Sequence, residues 1–160
     1  VSETEATRLV TFRIGDGLYA VDVAQVERVI RYAPPRRVPQ LPEWIEGLME
    51  HDGRVIAIID LRQRLGGSAE APDAQARLLL LNLEGDWCGM IVDQVMDVRV
   101  FGLEAVTPPP DLVRGLAGKL YTATVKRGDA LVVVLDLSRL FSAAERRDLS
   151  IADAVAPAHA

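Results

Sequence analysis

The chain alternates short apolar runs with turn residues, and long helical patterns are absent. Leu9 to Ile14 (LVTFRI) is rich in β-formers and reads as a strand. Asp16-Gly17 is a two-residue hairpin signal, and Leu18 to Val23 is the returning strand. Val23, Val26, Val29 and Ile30 fall on one helical face, which predicts a short helix starting at Asp22 or just after it. Tyr32 to Pro42 is a proline-rich connector. Gly47 begins a short apolar strand, and Asp52-Gly53 predicts a type I′ turn, whose two central positions need positive φ. Val55 to Ile59 returns as an almost continuous apolar run, the pattern of a buried strand. Leu61 to Leu65 predicts a helical turn closed by Gly66-Gly67, and Ser68 to Ala76 a loop. Ala143 to Asp148 can be helical. Residues 1–7 and 150–160 read as flexible tails.

The pattern occurs twice. Arg8-Leu9 recurs as Arg77-Leu78, an offset of 69 residues (77 − 8). The same offset pairs Ile14 with Leu83, Leu18 with Trp87, Val23 with Val92, Gln25 with Gln94, Val26 with Val95 and Val29 with Val98. A one-residue deletion then pairs Pro42 with Pro110, Ile45 with Val113, Gly47 with Gly115 and Leu48 with Leu116. Further on, IIDLRQRL (58–65) matches VLDLSRLF (134–141), placing Asp136 opposite Asp60. Two similar lobes follow from this, about 8–67 and about 77–142, within one domain spanning 8–142. Each is near the size at which a single core becomes marginal, so the lobes gain by packing on each other. Short strands punctuated by Gly and Pro predict two small β-barrels with a helical turn or two.

Composition narrows the function. In 160 residues, 49% are hydrophobic, enough for a packed core. The net charge of −5 opposes nucleic-acid binding, which rests largely on cationic contacts to phosphate. Cys88 is the only cysteine, so neither an intrachain disulfide nor a Cys-rich zinc site is expected, and a reducing cytoplasm is the simplest compartment. No apolar run approaches the roughly 18 residues of a membrane span, and no signal peptide is visible.

The candidate chemistry is thin. His51 sits beside a turn and His159 in the tail; neither has an evident nucleophile in reach. Asp52 adjoins His51, but consecutive strand residues point to opposite faces. Cys88 reads as a small core residue. Asp93 and Asp97, spaced i and i+4, share a face if that stretch is helical, yet no further oxygen ligands follow at a recognisable spacing. Asp60 and Asp136 follow strands at equivalent places, which suits capping of the next turn. A hydrolase built on Asp60, Asp93 or Asp136 lacks a visible acid, base and nucleophile set. No enzyme, cofactor or metal is therefore expected. Arg28, Arg31, Arg36 and Arg37 stand out in an acidic chain, and they read either as a solvated helix face and linker or as an electrostatic contact for an acidic protein partner. Trp44 reads as half-buried packing.

Four stretches in this order resemble the bacterial chemotaxis coupling protein CheW and CheW-like domains: LVTFRIGDGLYAVDVAQVERVI, VPQLPEWIEGLM with GRVIAIIDLRQRLG, WCGMIVDQVMDV, and LVVVLDLSRLF. The resemblance covers about Leu9 to Phe141. It implies a mainly β fold of two intertwined, SH3-like, five-stranded β-barrels with short helices. It also implies a non-enzymatic adaptor joining the cytoplasmic tip of a methyl-accepting chemotaxis receptor to the regulatory domain of a CheA-type histidine kinase. Such an adaptor would be cytoplasmic, recruited to receptor clusters at the inner membrane, and peripheral to the membrane only through the receptor. A regulatory or scaffold module of a larger kinase, or of a variant motility or localisation pathway, is the alternative.

Carried over by position, the kinase-facing surface includes Val26, Glu46, Gly47 and Met49, and the receptor-facing groove includes Asp52, Arg77 and Val98. The chain departs from the family at Glu50-His51-Asp52-Gly53, where the resemblance leads one to expect Asn at position 50 and Arg at position 52. Asp-Gly favours the tight turn. The reversed charge implies a changed partner.

Overall fold

The computed structural model describes residues 6–42, 45–62, 71–102, 106–107 and 121–137. The chain runs β1 (Ala6–Ile14), β2 (Gly17–Asp22), β3 (Val26–Arg31), β4 (Ile45–His51), β5 (Arg54–Asp60), β6 (Arg77–Leu83), β7 (Asp86–Val92), β8 (Gln94–Gly102), β9 (Val106–Thr107), β10 (Tyr121–Arg127) and β11 (Ala130–Leu135). One sheet has the order β8-β1-β2-β11-β10-β9 and the other β3-β6-β7-β5-β4. Each therefore mixes strands from both halves of the sequence. The expected mainly β, intertwined architecture is what the chain adopts.

The repeat extends to individual hydrogen-bonding partners. Exchanging β1, β2, β3, β4 and β5 for β6, β7, β8, β10 and β11 converts one sheet order into the other, with β9 as an added edge. The pair Leu9↔Asp22 recurs as Leu78↔Ile91, at the offset of 69. The parallel pair Ile58↔Gly89 recurs as Val134↔Ala20, where β5 and β11 are offset by 76 (134 − 58). The irregularities recur too. Glu27 is the extra residue between Val26 and Arg28, and Met96 is its counterpart between Val95 and Asp97. Glu46 and Thr122 bulge in the same way in β4 and β10. A bulge adds one residue to one strand and sharpens the local twist, which small barrels need for closure.

Three apolar clusters follow from this symmetry. Ile56, Ile58, Leu78, Leu80 and Ile91 fill the barrel of the second sheet, with Met49, Ile30, Tyr32 and Trp87 around them. Leu9, Ala20, Phe101, Val125 and Val132 fill the other. The largest cluster, including Val10, Phe12, Leu79, Leu81, Cys88, Met90, Val92 and Leu135, draws on both sheets and joins the barrels. Strand alternation explains the partition: Leu78 and Leu80 point into one barrel while Leu79, Leu81 and Leu83 point into the shared core.

Several expectations are corrected. The helix at Val23–Ile30 shrinks to a 3-10 turn at Val23–Gln25, capped by Asp22, whose Oδ1 accepts from the Ala24 amide at 2.9 Å. Val26 to Ile30 are strand. Their three-residue apolar spacing arises because the bulge at Glu27 returns Val26 and Val29 to one face. Asp93 lies at a bend and Asp97 in β8, so no helical face joins them. The first hairpin turns at Gly15-Asp16 rather than Asp16-Gly17, with Gly15 at φ 59. β1 starts at Ala6, three residues before the expected Leu9. The structural counterpart of Gly47 is Ala123, not Gly115, because β4 corresponds to β10. The predictions for Trp44, for residues 63–70, for Pro110 to Leu116, for the 143–148 helix and for the 150–160 tail fall outside the described residues.

Candidate docking surfaces

The hairpin tip forms as expected. Asp52 and Gly53 have φ of 51 and 76, and His51 pairs with Arg54 across the turn. The tip leans on β3: Arg28 Nη1 lies 3.8 Å from Asp52 Oδ2, and His51 Nε2 lies 3.4 Å from the same oxygen. The opposite-faces argument does not separate His51 from Asp52, because Asp52 belongs to the turn. Glu27, Arg28, His51, Asp52, Leu80 and Trp87 line a cleft of about 330 Å³ here. Arg54 covers the Trp87 ring at 4.2 Å, a cation–π contact that sequence reading missed.

The other barrel carries a matching contact of opposite polarity. Asp97, the counterpart of Arg28, accepts from Arg127 Nη2 at 2.8 Å; Arg127 is the counterpart of His51. Both hairpin ends are thus clasped to a neighbouring edge strand by charge. In one barrel the acid is on the hairpin, and in the other on the strand.

A third polar group lies between the barrels. Arg62, 6% exposed, donates from Nε and Nη2 to Asp60 at 2.9 and 2.7 Å, and its Nη1 lies 3.7 Å from Asp93. Asp60 also accepts from the Arg62 amide at 2.9 Å, which is the turn-capping role expected of it. Asp93 Oδ2 accepts from the Gly15 amide at 2.7 Å. The hydrogen bond to Asp60 pushes the Arg62 pKa up further, burial opposing it. These carboxylates are engaged as counter-ions to Arg62 and as acceptors from backbone amides. Cys88 is buried in the shared core, as expected. Among the described residues no three His, Cys, Asp or Glu side chains cluster to hold a metal, and no helix is long and apolar enough to cross a membrane.

The residues carried over from the family resemblance are distributed as follows. Val26 and the Glu46, Gly47, Met49 group lie on the two outer strands of the five-stranded sheet. Gly47 is covered by the connector: Arg36 and Leu48 exchange two backbone hydrogen bonds of 2.8 Å, and an added Cβ would lie 2.5 Å from the Arg36 carbonyl oxygen. Met49 packs against the apolar filling of its barrel. Asp52 and Arg77 line separate clefts at different points of β3: Asp52 approaches Arg28, and Arg77 pairs with Arg31. Val98, 54% exposed, lies on β8 in the other sheet, opposite Val10. Val29, its counterpart, is 40% exposed.

Comparison with known proteins agrees with this architecture. The family model for the CheW-like domain matches residues 8–145. The chain is 29% identical to chemotaxis protein CheW of Treponema pallidum over 91% of its own length and 88% of the relative's. It is 27% identical to chemotaxis protein CheW of Klebsiella aerogenes, covering 98% and 93%. The crystal structure of the scaffolding protein TtCheW from Thermoanaerobacter tengcongensis superposes with a TM-score of 0.76 at 27% identity, covering 85% of this chain and 92% of that one. With its repeated strand exchange and its match along most of its length, the chain belongs to the CheW-like domain family.

Proposed function

We propose that this chain is a non-enzymatic adaptor that couples the cytoplasmic tip of a chemoreceptor to the regulatory domain of a CheA-type histidine kinase. The observation that carries this reading is the likeness, over most of both chains, to a solved scaffolding protein. The engagement of Asp60 and Asp93 by Arg62 supports the non-enzymatic part. The kinase would meet the surface around Val26, Glu46, Gly47 and Met49. The receptor would meet positions near Asp52, Arg77 and Val98. The protein would work in the cytoplasm at receptor clusters.

The test is reconstitution. Purified chain, cognate kinase and receptor fragments are sedimented together at low salt. The adaptor should carry kinase into the receptor pellet. Failure to bind either partner would overturn the assignment.

A further inference from the structure

β3 is an outer strand, and no strand pairs with its free side among the described residues. An open edge of this kind is a template for strand addition. Its register with β6 sets Arg31 directly opposite Arg77, two like charges across one pair. Such a pair is unfavourable by itself. Among the described residues no carboxylate lies within ion-pair distance of either arginine. Arg77 Nη1 donates to the Ala74 and Ala76 carbonyls, at 3.0 and 2.8 Å, which anchors it without neutralising it. Arg31, Tyr32, Asp73, Ala74, Ala76 and Arg77 surround an open cleft of about 330 Å³. The Asp73 carboxylate accepts from the Gln75 amide at 2.8 Å.

We infer that the Val29–Arg31 end of β3 takes an extended acidic segment of a partner protein as an added strand, with a carboxylate paired to Arg31, whose neighbour on the other side is the like charge of Arg77. Strand alternation makes the requirement specific. Val29 and Arg31 share one face of β3, and Val29 is 40% exposed. The segment therefore needs an apolar residue over Val29 and an Asp or Glu two positions away over Arg31. The protein's own charge of −5 makes this cationic edge a local exception, suited to steering an acidic partner. The equivalent edge strand β8 carries Val98 and Val100 where β3 carries Val29 and Arg31, so the carboxylate seat belongs to one barrel alone. The inference rests on the docking role above in taking the ligand to be a protein, and it shares Arg77 with the receptor-facing positions proposed there.

The probe is a labelled peptide repeating valine-threonine-glutamate-threonine, with a version carrying lysine for glutamate, titrated into the full chain by fluorescence anisotropy. The glutamate peptide should bind and the lysine peptide should not. Arg31→Glu should weaken binding about tenfold or more, the scale of one charge-assisted contact, and should transfer preference to the lysine peptide. Arg31 is exposed, so this variant should keep the wild-type melting temperature; Arg77→Gln serves as the second variant. Equal binding of both peptides, an unaffected Arg31→Glu, or full displacement by inorganic phosphate or a single-stranded oligonucleotide would overturn the inference. Reconstitution with kinase and receptor runs alongside. Peptide failure with intact reconstitution removes only this inference, and the reverse pattern removes only the adaptor reading.

Discussion

Gly89 and Ala20 occupy equivalent places in the two barrels, and the difference between them is a packing exchange that can be measured. Gly89 pairs with Ile58, and Ala20 with Val134. A Cβ built on Gly89 would lie 2.5 Å from Ile58 Cδ1 and 3.4 Å from Leu80 Cδ2. Ile has the terminal methyl that Val lacks, and that methyl fills the space a β-carbon would take. Gly89→Ala alone should therefore overpack a site with no solvent access and cost about 1–3 kcal/mol. Ile58→Val alone should cost about 0.5–1.5 kcal/mol by leaving a gap. Together they recreate the arrangement of the other barrel, and the double variant should recover at least about 1 kcal/mol relative to the sum. Urea unfolding of the four proteins gives the coupling directly. For a chain of this size each kcal/mol also moves the melting temperature by roughly 2–4 °C. Costs that simply add, within about 0.5 kcal/mol, would refute the idea that the two barrels solve one packing problem in alternative ways.

The remaining predictions concern the connector, the tip and a half-buried phenol. Gly47→Ala should lose about 1–3 kcal/mol by pushing Arg36 off Leu48 and breaking their two hydrogen bonds. Denaturation checks this, and since Ala123 is tolerated at the equivalent place, a neutral result would show that the connector yields easily. Gly47→Asp should weaken kinase capture, and the alanine variant's stability shows how much of that loss is folding. Asp52→Asn should leave stability within about 1 kcal/mol, because its ion pair with Arg28 is exposed. Asp52→Arg puts a like charge beside Arg28 and a larger side chain at positive φ, and should cost about 1–2 kcal/mol; if charge governs partner choice, it should also raise affinity for a generic chemoreceptor tip in a binding titration. Tyr19, stacked on Phe12 with centroids 6.2 Å apart, has its pKa raised by burial. The folded state then holds this proton longer than the unfolded chain, so stability should fall as pH rises past about 10. Tyrosinate absorbance should show a late-titrating group that Tyr19→Phe removes.

The β class, the repeat and the Asp52-Gly53 turn are legible in the sequence because each rests on local chemistry: alternation, spacing and positive φ. The apparent helix at Val26–Ile30 is misleading because the Glu27 bulge inserts one residue and turns strand spacing into helical spacing. The pairing of Gly47 with Gly115 fails for a related reason. Residue type pairs glycine with glycine, while the fold pairs bulge with bulge and turn with turn. The Arg62–Asp60–Asp93 group was invisible because its members are brought together by sheet assembly. Only the Asp60 turn, two residues long, had a local signal. The Arg31–Arg77 opposition was out of reach as well, since it depends on the register between β3 and β6.

The strand exchange has a kinetic consequence. Ala20 meets Val134 across a sequence separation of 114 (134 − 20), and β2 and β11 pair in parallel, so this sheet closes only after β11 has been made. Non-local, parallel pairing of this kind is slow, because loop-closure entropy is lost before contacts compensate for it. Until then the early hairpins present unpaired edges. The order of synthesis thus leaves β1 and β2 waiting for the last strand pair. A truncation before β11 would remove the partner of β2 in one barrel, and with it one wall of the core that joins the two.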